Sequence, residues 1–148
     1  MKICILCLSV FFALSCSLFQ KKLTRDDPLV LFYKTDPLPE TVASLKLTER
    51  ARENIKDKKY SKALALLNQS LEIDPDNAFS YYFLGLLYHE KNEPKRSNGI
   101  LERAKLLFRE MPFWLSACYE LSSQNWLKLG YGHQAQEDAL KAEALVKH

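Results

Sequence analysis

Apolar positions recur with a helical period from about residue 41 onward. Val42, Leu45, Ala51 and Ile55 are separated by charged residues and fall near one side of a helical projection. This spacing is typical of an amphipathic helix that buries one face. The same pattern predicts helices over Thr41–Lys56, Tyr60–Ile73 and Phe79–Tyr88. Nothing in this part of the chain favours a strand, so the predicted fold class is all-α.

Turn residues divide the periodic segments. Asp74 and Pro75 end the second helix, and Asn92 and Gly130 lie where a left-handed residue would end a helix. Gly99 falls inside a predicted helix, where glycine costs about 1 kcal/mol relative to alanine. That helix is therefore the weakest of the predicted set.

Small residues return at a fixed interval. Gly85 follows Ala51 by 34 residues, and Ala104 follows Ser70 by the same number. Two helices can approach closely only where their side chains are small, so this interval predicts a repeated helical hairpin.

On these residues the chain resembles the tetratricopeptide repeat (TPR) family over residues 44–147. The resemblance implies a right-handed solenoid of about three helical hairpins. It places small packing residues at Ala51, Ala63, Gly85, Ala104, Ala135 and Ala142. The third unit is displaced by about four residues at Met111–Leu115, which predicts an extra turn with Pro112 near its start.

The first helix of each unit lines a concave face in such repeats. By resemblance, the residues predicted to contact a partner are Arg52, Lys56, Phe79, Tyr82, Leu86, His89, Glu120 and Gln124, with Leu45, Thr48 and Ile55 at equivalent positions. The alternative is that Phe79, Tyr82 and Leu86 belong to the core. The chaperone-binding members of the family hold the terminal carboxylate of their ligand with a set of lysine and asparagine residues. That set is absent here, so a carboxylate terminus is not the expected ligand.

The amino terminus has the layout of a secretory signal. Lys2 precedes an apolar run over residues 3–14, which is too short to span a bilayer as a mature helix. The residues before Cys16 resemble a relaxed bacterial lipobox, which implies a signal peptide over residues 1–15 and a diacylated Cys16. Ordinary signal-peptidase cleavage after Ser15 is the alternative.

Residues 16–40 are then predicted to be a lipid-anchored linker, because three prolines and several charges interrupt any helical period. Residues 41–148 form the predicted repeat domain. The apolar run Leu29–Tyr33 is expected to pack on the first helix, with an exposed strand or a groove-filling peptide as alternatives.

The net charge and the potentially reactive residues limit the classes of function that the chain can have. The 148-residue chain suits one domain, and its net charge of +3 has no basic stripe, which disfavours nucleic acid. His89 precedes Glu90 and Glu93 without a second histidine, so no metal is expected. Cys118 lies among apolar residues and is expected to be a core thiol. No cofactor and no small-molecule substrate are predicted.

The sequence therefore predicts a non-catalytic scaffold that binds a protein or peptide. The expected location is a bacterial envelope membrane. We favour the outer membrane, with the domain on its periplasmic side or at the cell surface. Two other functions stay open. One is a structural subunit of an outer-membrane or pilus assembly machine. The other is a hydrolase with an unrecognised site around Cys118, His89 or His133.

Overall fold

The computed structural model describes residues 38–147, which form six α-helices and no strand. The helices are α1 (Pro39–Lys56), α2 (Tyr60–Ile73), α3 (Ala78–Glu90), α4 (Pro94–Leu107), α5 (Pro112–Lys128) and α6 (Gly132–Val146). None of these described helices has the length and apolar character needed to cross a membrane. The predicted signal peptide, Cys16 and the Leu29–Tyr33 segment lie outside the described residues.

The helices pair as three antiparallel hairpins, α1 with α2, α3 with α4, and α5 with α6. Each hairpin then packs on the next, because α3 contacts both α1 and α2, and α5 contacts both α3 and α4. The all-helical prediction and the hairpin arrangement are confirmed for the described residues. Helix α1 begins at Pro39, and the weakly predicted α4 is formed in spite of Gly99.

A left-handed residue follows the first helix of every hairpin. Lys58, Asn92 and Gly130 have φ angles of 59°, 59° and 80°. The residue after each donates its backbone N–H to a carbonyl five residues back, such as Glu93 N to Tyr88 O at 2.8 Å. This bond satisfies a carbonyl that the helix end leaves unpaired. The sequence predicted this conformation at Asn92 and Gly130 and missed it at Lys58.

The spacing between these turns gives the length of each repeat. Lys58 and Asn92 are 34 residues apart, whereas Asn92 and Gly130 are 38 apart. The four extra residues lie at the start of α5, which begins at Pro112 and is 17 residues long against 13 for α3. The predicted extra turn is therefore present. Proline suits the first turn of a helix because no N–H is needed there.

Small side chains occupy the contacts between paired helices. The five alanines of the predicted packing set, namely Ala51, Ala63, Ala104, Ala135 and Ala142, are all buried. Gly85 is also buried, and a Cβ atom built there would lie 2.8 Å from Leu101 Cδ2 of α4. Hydroxyl groups reinforce the same contacts: Ser97 donates to Gly85 O, and Ser123 donates to Ala135 O, both at 2.7 Å.

A cluster of aromatic rings joins the second and third hairpins. The ring of Trp114 on α5 packs edge-on against Phe79 and Tyr82 of α3, with centroids 5.1 and 5.2 Å away. It also stacks on Phe108, at 5.6 Å and an interplanar angle of 16°. Aromatic pairs of this kind contribute about 0.5–1.5 kcal/mol each beyond the area they bury.

Candidate functional site

The first helices of the three hairpins, α1, α3 and α5, pack side by side and carry the predicted partner-binding residues. We call the half-buried and exposed members of that set the inner face. Its members are Arg52 and Lys56 on α1, Tyr82, Leu86 and His89 on α3, and Glu120 and Gln124 on α5. The inner face thus combines an aromatic ring and an aliphatic side chain with groups of both charge signs.

Phe79 does not belong to this face. It is 4% exposed and lies edge-on to Phe108, with ring centroids 5.1 Å apart. The sequence-based assignment of Phe79 to partner binding therefore gives way to the alternative that it packs in the core. Leu45, Thr48 and Ile55 are buried in the same way. For Phe79 the reason is that α3 is apolar nearly all round, so its pattern does not separate a core position from a groove position.

Tyr82 lies at the border between the core and the inner face. Its ring contacts Phe83 and Trp114, both with centroids 5.2 Å away. Burial raises the pKa of the Tyr82 phenol, and the nearby Cys118 and Glu120 raise it further. The phenol is therefore neutral over the whole physiological range.

His89 links α3 to α5. Its Nδ1 lies 2.7 Å from Asn125 Oδ1, and its Nε2 lies 3.2 Å from Lys128 Nζ. Because the Lys128 ammonium only donates hydrogen bonds, Nε2 accepts and the proton of the neutral ring is on Nδ1. His89 thus joins α3 to α5, and both of its ring nitrogens have hydrogen-bond partners within the described chain.

Asn125 is a structural residue that the sequence analysis missed. It is fully buried, and its Nδ2 donates to Ser97 Oγ and to Asn98 Oδ1, both at 2.8 Å. The side chain therefore fastens α5 to α4 as well as to α3. An asparagine in a helix interior is more often exposed, so a buried one beside Trp126 carried no clear signal in the sequence.

A second missed feature is a buried cluster of four hydroxyl groups and one side-chain amide between α1, α2 and α3. Its members are Ser44, Thr48, Ser70, Asn77 and Ser80. The Thr48 hydroxyl lies 2.6 Å from that of Ser80 and 2.9 Å from that of Ser70. Asn77 Nδ2 donates to Ser44 Oγ at 2.6 Å and also caps α3, where its Oδ1 accepts from Ser80 N. We call these five residues the hydroxyl cluster.

The structure gives the surroundings of the candidate nucleophile and of the candidate metal ligands. Cys118 is fully buried, and burial raises the pKa of its thiol to about 12. A thiol in that state is protonated at neutral pH and is a poor nucleophile. No group of three or more His, Cys, Asp or Glu side chains in residues 38–147 is arranged to hold a metal ion.

Comparison with known proteins agrees with this geometry. The family described as TPR repeat matches residues 55–92, which cover the end of α1 through the turn after α3. The fold is also that of the N-terminal domain of stress-induced protein-1 (STI-1) from C. elegans. That match has a TM-score of 0.68 at 16% identity and covers 76% of this chain and 91% of the other. The described domain has the tetratricopeptide-repeat fold.

A second solved structure has the same fold. The second TPR of Spaghetti (RPAP3), bound to the HSP90 peptide SRMEEVD, matches with a TM-score of 0.63 at 17% identity. The match covers 71% of this chain and 94% of that chain. No curated protein sequence matches the chain significantly. At these identities the solved structures establish the TPR fold and nothing finer.

Proposed function

We propose that this TPR-fold protein is a non-catalytic scaffold whose inner face binds a peptide or helix of another protein. The observation that carries the proposal is the composition of that face. Tyr82 and Leu86 contribute half-buried apolar surface, and Arg52, Lys56 and Glu120 contribute charges of both signs on the same three helices. Interfaces of this kind use a central aromatic or aliphatic contact for affinity and a polar rim for orientation.

The packing of the inner face supports this role. Tyr82 is held by Phe83 and Trp114, and His89 is held by Asn125 and Lys128, so the side chains keep their positions before a partner arrives. A preorganised face loses little conformational entropy on binding, which favours affinity. The RPAP3 domain, which shares the fold, binds a peptide.

The proposal includes attachment to a bacterial envelope membrane through a lipid on Cys16. It rests on the short apolar run and the lipobox-like residues that precede this cysteine. A single acyl chain binds a membrane only marginally, whereas two chains give stable anchoring. The mass of the mature protein tests this: two acyl-chain masses on an N-terminal Cys16 support the anchor, and an unmodified Cys16 contradicts it.

Site-specific photocrosslinking in intact cells tests the inner face. A photoreactive residue at exposed Gln124 is expected to give a protein adduct of defined size. The same residue at exposed Gln69 on α2 is the matched control and is expected to give none. Introducing Leu86→Glu into the Gln124 chain is expected to abolish the adduct, because a carboxylate replaces the apolar centre of the face.

Two results would contradict the inner-face proposal. One is an adduct that forms equally from both positions, and the other is an adduct that persists with Leu86→Glu in a chain that circular dichroism shows to be folded. Either result would place the partner elsewhere on the molecule.

A further inference from the structure

The turns within the three hairpins all lie at one end of the domain. The hydroxyl groups of Thr48 on α1 and Ser80 on α3 lie 2.6 Å apart. About one turn further along both helices, Arg52 Cζ lies 5.9 Å from the centroid of the Phe83 ring. Because these contacts advance in the same direction, α1 and α3 run parallel and end on the same side. The last turns of α3 and α5 also meet, where the ring of His89 contacts α5.

Basic side chains are concentrated at this end, which we call the turn end. It consists of residues 53–63, 87–97 and 125–135, which are the last turn of each first helix, the connecting turn, and the first turn of each second helix. These residues include eight basic and four acidic side chains. The excess is a product of folding, because the basic residues come from three separate parts of the sequence.

The opposite end of the domain carries the opposite charge. Its residues are 38–42, 70–81, 104–115 and 143–147, and they include six acidic and three basic side chains. Over residues 38–147 as a whole the numbers are nearly equal, with 16 basic and 15 acidic side chains. The fold therefore separates charge along the helix axes, so an anionic surface attracts the turn end and repels the opposite end.

Much of the positive charge at the turn end has no partner. Two of its four acidic groups, those of Asp57 and Glu93, are held in ion pairs with basic neighbours at the same end. A lysine ammonium is a point charge on a flexible stem, so a group of lysines suits a diffuse anionic surface better than one small ligand of fixed shape. Four exposed lysines of the turn end form no ion pair with any described residue, namely Lys56, Lys58, Lys62 and Lys95.

The turn end also exposes two side chains that suit a lipid interface. Leu127 near the end of α5 is 63% exposed, and Tyr131 in the turn before α6 is 47% exposed. Tyrosine rings are enriched at the headgroup level of membranes, and leucine side chains beside basic residues enter the boundary with the acyl chains. Nucleic-acid phosphates also attract lysines, but they offer no contact that uses Leu127. The opposite end exposes apolar groups as well, yet anionic headgroups repel its acidic excess.

From this charge separation and these exposed groups we infer that the turn end docks on a bilayer that contains anionic phospholipids. The lysines contact lipid phosphate groups, while Leu127 and Tyr131 enter the headgroup region. The inference goes beyond the inner-face proposal and does not require a lipid on Cys16. With that lipid present, the turn end supplies the second membrane contact that stable attachment of a lipidated protein commonly uses.

The test measures how the full chain partitions onto two kinds of vesicle, one of phosphatidylcholine and one of an equimolar mixture with phosphatidylglycerol. The readout is the ratio of the two partition coefficients, because the apolar amino terminus and any acyl chain bind both kinds. The parent chain is expected to prefer the anionic vesicles. Lys62→Glu combined with Lys95→Glu is expected to lower the ratio about 30-fold.

A second pair of charge reversals is the matched control. Lys46→Glu combined with Arg109→Glu changes the net charge by the same amount at exposed residues outside the turn end. This pair is expected to leave the ratio within about threefold of the parent value. The turn-end pair is expected to keep the fold, since glutamate in the first turn of α2 and of α4 interacts favourably with the helix dipole. Circular dichroism checks both chains.

Replacing exposed leucines separates a bilayer from other polyanions. Leu127→Gln is expected to weaken binding to the anionic vesicles about tenfold, because its apolar side chain no longer enters the headgroup region. Leu140→Gln on α6 is the control, since Leu140 is 58% exposed and lies outside the turn end. That substitution is expected to leave binding unchanged.

Three results would overturn the inference. One is a parent chain that binds both kinds of vesicle equally, and another is a control pair that lowers the ratio as much as the turn-end pair. The third is a chain that binds a labelled DNA duplex more tightly than anionic vesicles and is insensitive to Leu127→Gln, which would make the turn end a nucleic-acid surface. None of these results bears on the inner face, whose test is the adduct at Gln124.

Discussion

At the scale of single residues, the two glycines inside helices occupy opposite environments. Gly85 faces Leu101, which is fully buried and would lie 2.8 Å from an added Cβ, whereas Gly99 faces open space. The intrinsic helix preference for alanine over glycine is the same at both positions. Their substitution therefore isolates the contribution of packing.

Replacing each glycine by alanine is expected to change stability in opposite directions. Gly99→Ala should raise the free energy of unfolding by up to about 1 kcal/mol. Gly85→Ala should lower it by about 1 kcal/mol, because overpacking costs about 1–3 kcal/mol and offsets the helix preference. Urea unfolding followed by circular dichroism measures both. Equal stabilisation by the two substitutions would show that α3 and α4 are not in close contact at Gly85.

The buried thiol of Cys118 gives a prediction on pH dependence. Its pKa in the folded protein is raised to about 12 from an ordinary value of 9.0, chiefly by burial. The unfolded chain therefore releases the thiol proton first, and this group's contribution to stability is present below pH 9 and lost as the pH rises toward 12.

Between pH 7 and pH 10, the parent chain is expected to lose about 1.4 kcal/mol more unfolding free energy than Cys118→Ala. The comparison is made with urea unfolding at both pH values. Cys4, Cys7 and Cys16 are present in both chains and cancel. Identical pH dependence of the two chains would mean that the Cys118 thiol is not desolvated.

At the scale of helices, the hydroxyl cluster is the main polar connection between α1, α2 and α3. Thr48 also donates to Ser44 O at 3.0 Å, so its hydroxyl takes part in contacts within α1 and between helices. Every member of the cluster is buried, so removing one hydroxyl leaves its neighbours without water to replace it.

Thr48→Val, which keeps the shape and removes the hydroxyl, is expected to lower the free energy of unfolding by about 1–3 kcal/mol. Thr41→Val, at a half-buried position of the same helix, is the control and should change it by less than about 0.5 kcal/mol. Denaturant unfolding measures both. If the two substitutions prove equally mild, the cluster contributes little to holding the first three helices together.

The helices were predictable from the sequence, whereas the polar contacts between them were not. The 34-residue interval and the turn residues Asn92 and Gly130 are local signals, and they located the hairpins and the insertion before α5. Ser44 and Ser70 could only be recognised as small residues, because their hydroxyl pairing depends on side chains brought together by folding. Phe79 could not be separated from Tyr82 as a core residue, because α3 is apolar nearly all round.

At the scale of the whole domain, stability depends on how well each hairpin is coupled to the next. In stacked repeats a unit contacts only its neighbours, so one interface can decide whether the chain unfolds in one step. Trp114 occupies such an interface, since its ring contacts Phe79 and Tyr82 in the second hairpin, and Phe108 at the end of α4.

Trp114→Ala is expected to lower the free energy of unfolding by about 3–5 kcal/mol, because it leaves a cavity among the packed rings. It should also split the urea transition, since α5 and α6 would unfold before the first two hairpins. The chain has two tryptophans, so the fluorescence of Trp126 on α5 then reports the third hairpin while circular dichroism reports all helices. Trp126→Ala is the matched control. Because this ring is half-buried, its removal should lower the free energy of unfolding by less and should leave a single transition. Coincident fluorescence and circular dichroism curves for Trp114→Ala would mean that coupling is spread over the polar contacts of Asn125 and His89, and that the aromatic cluster does not control it.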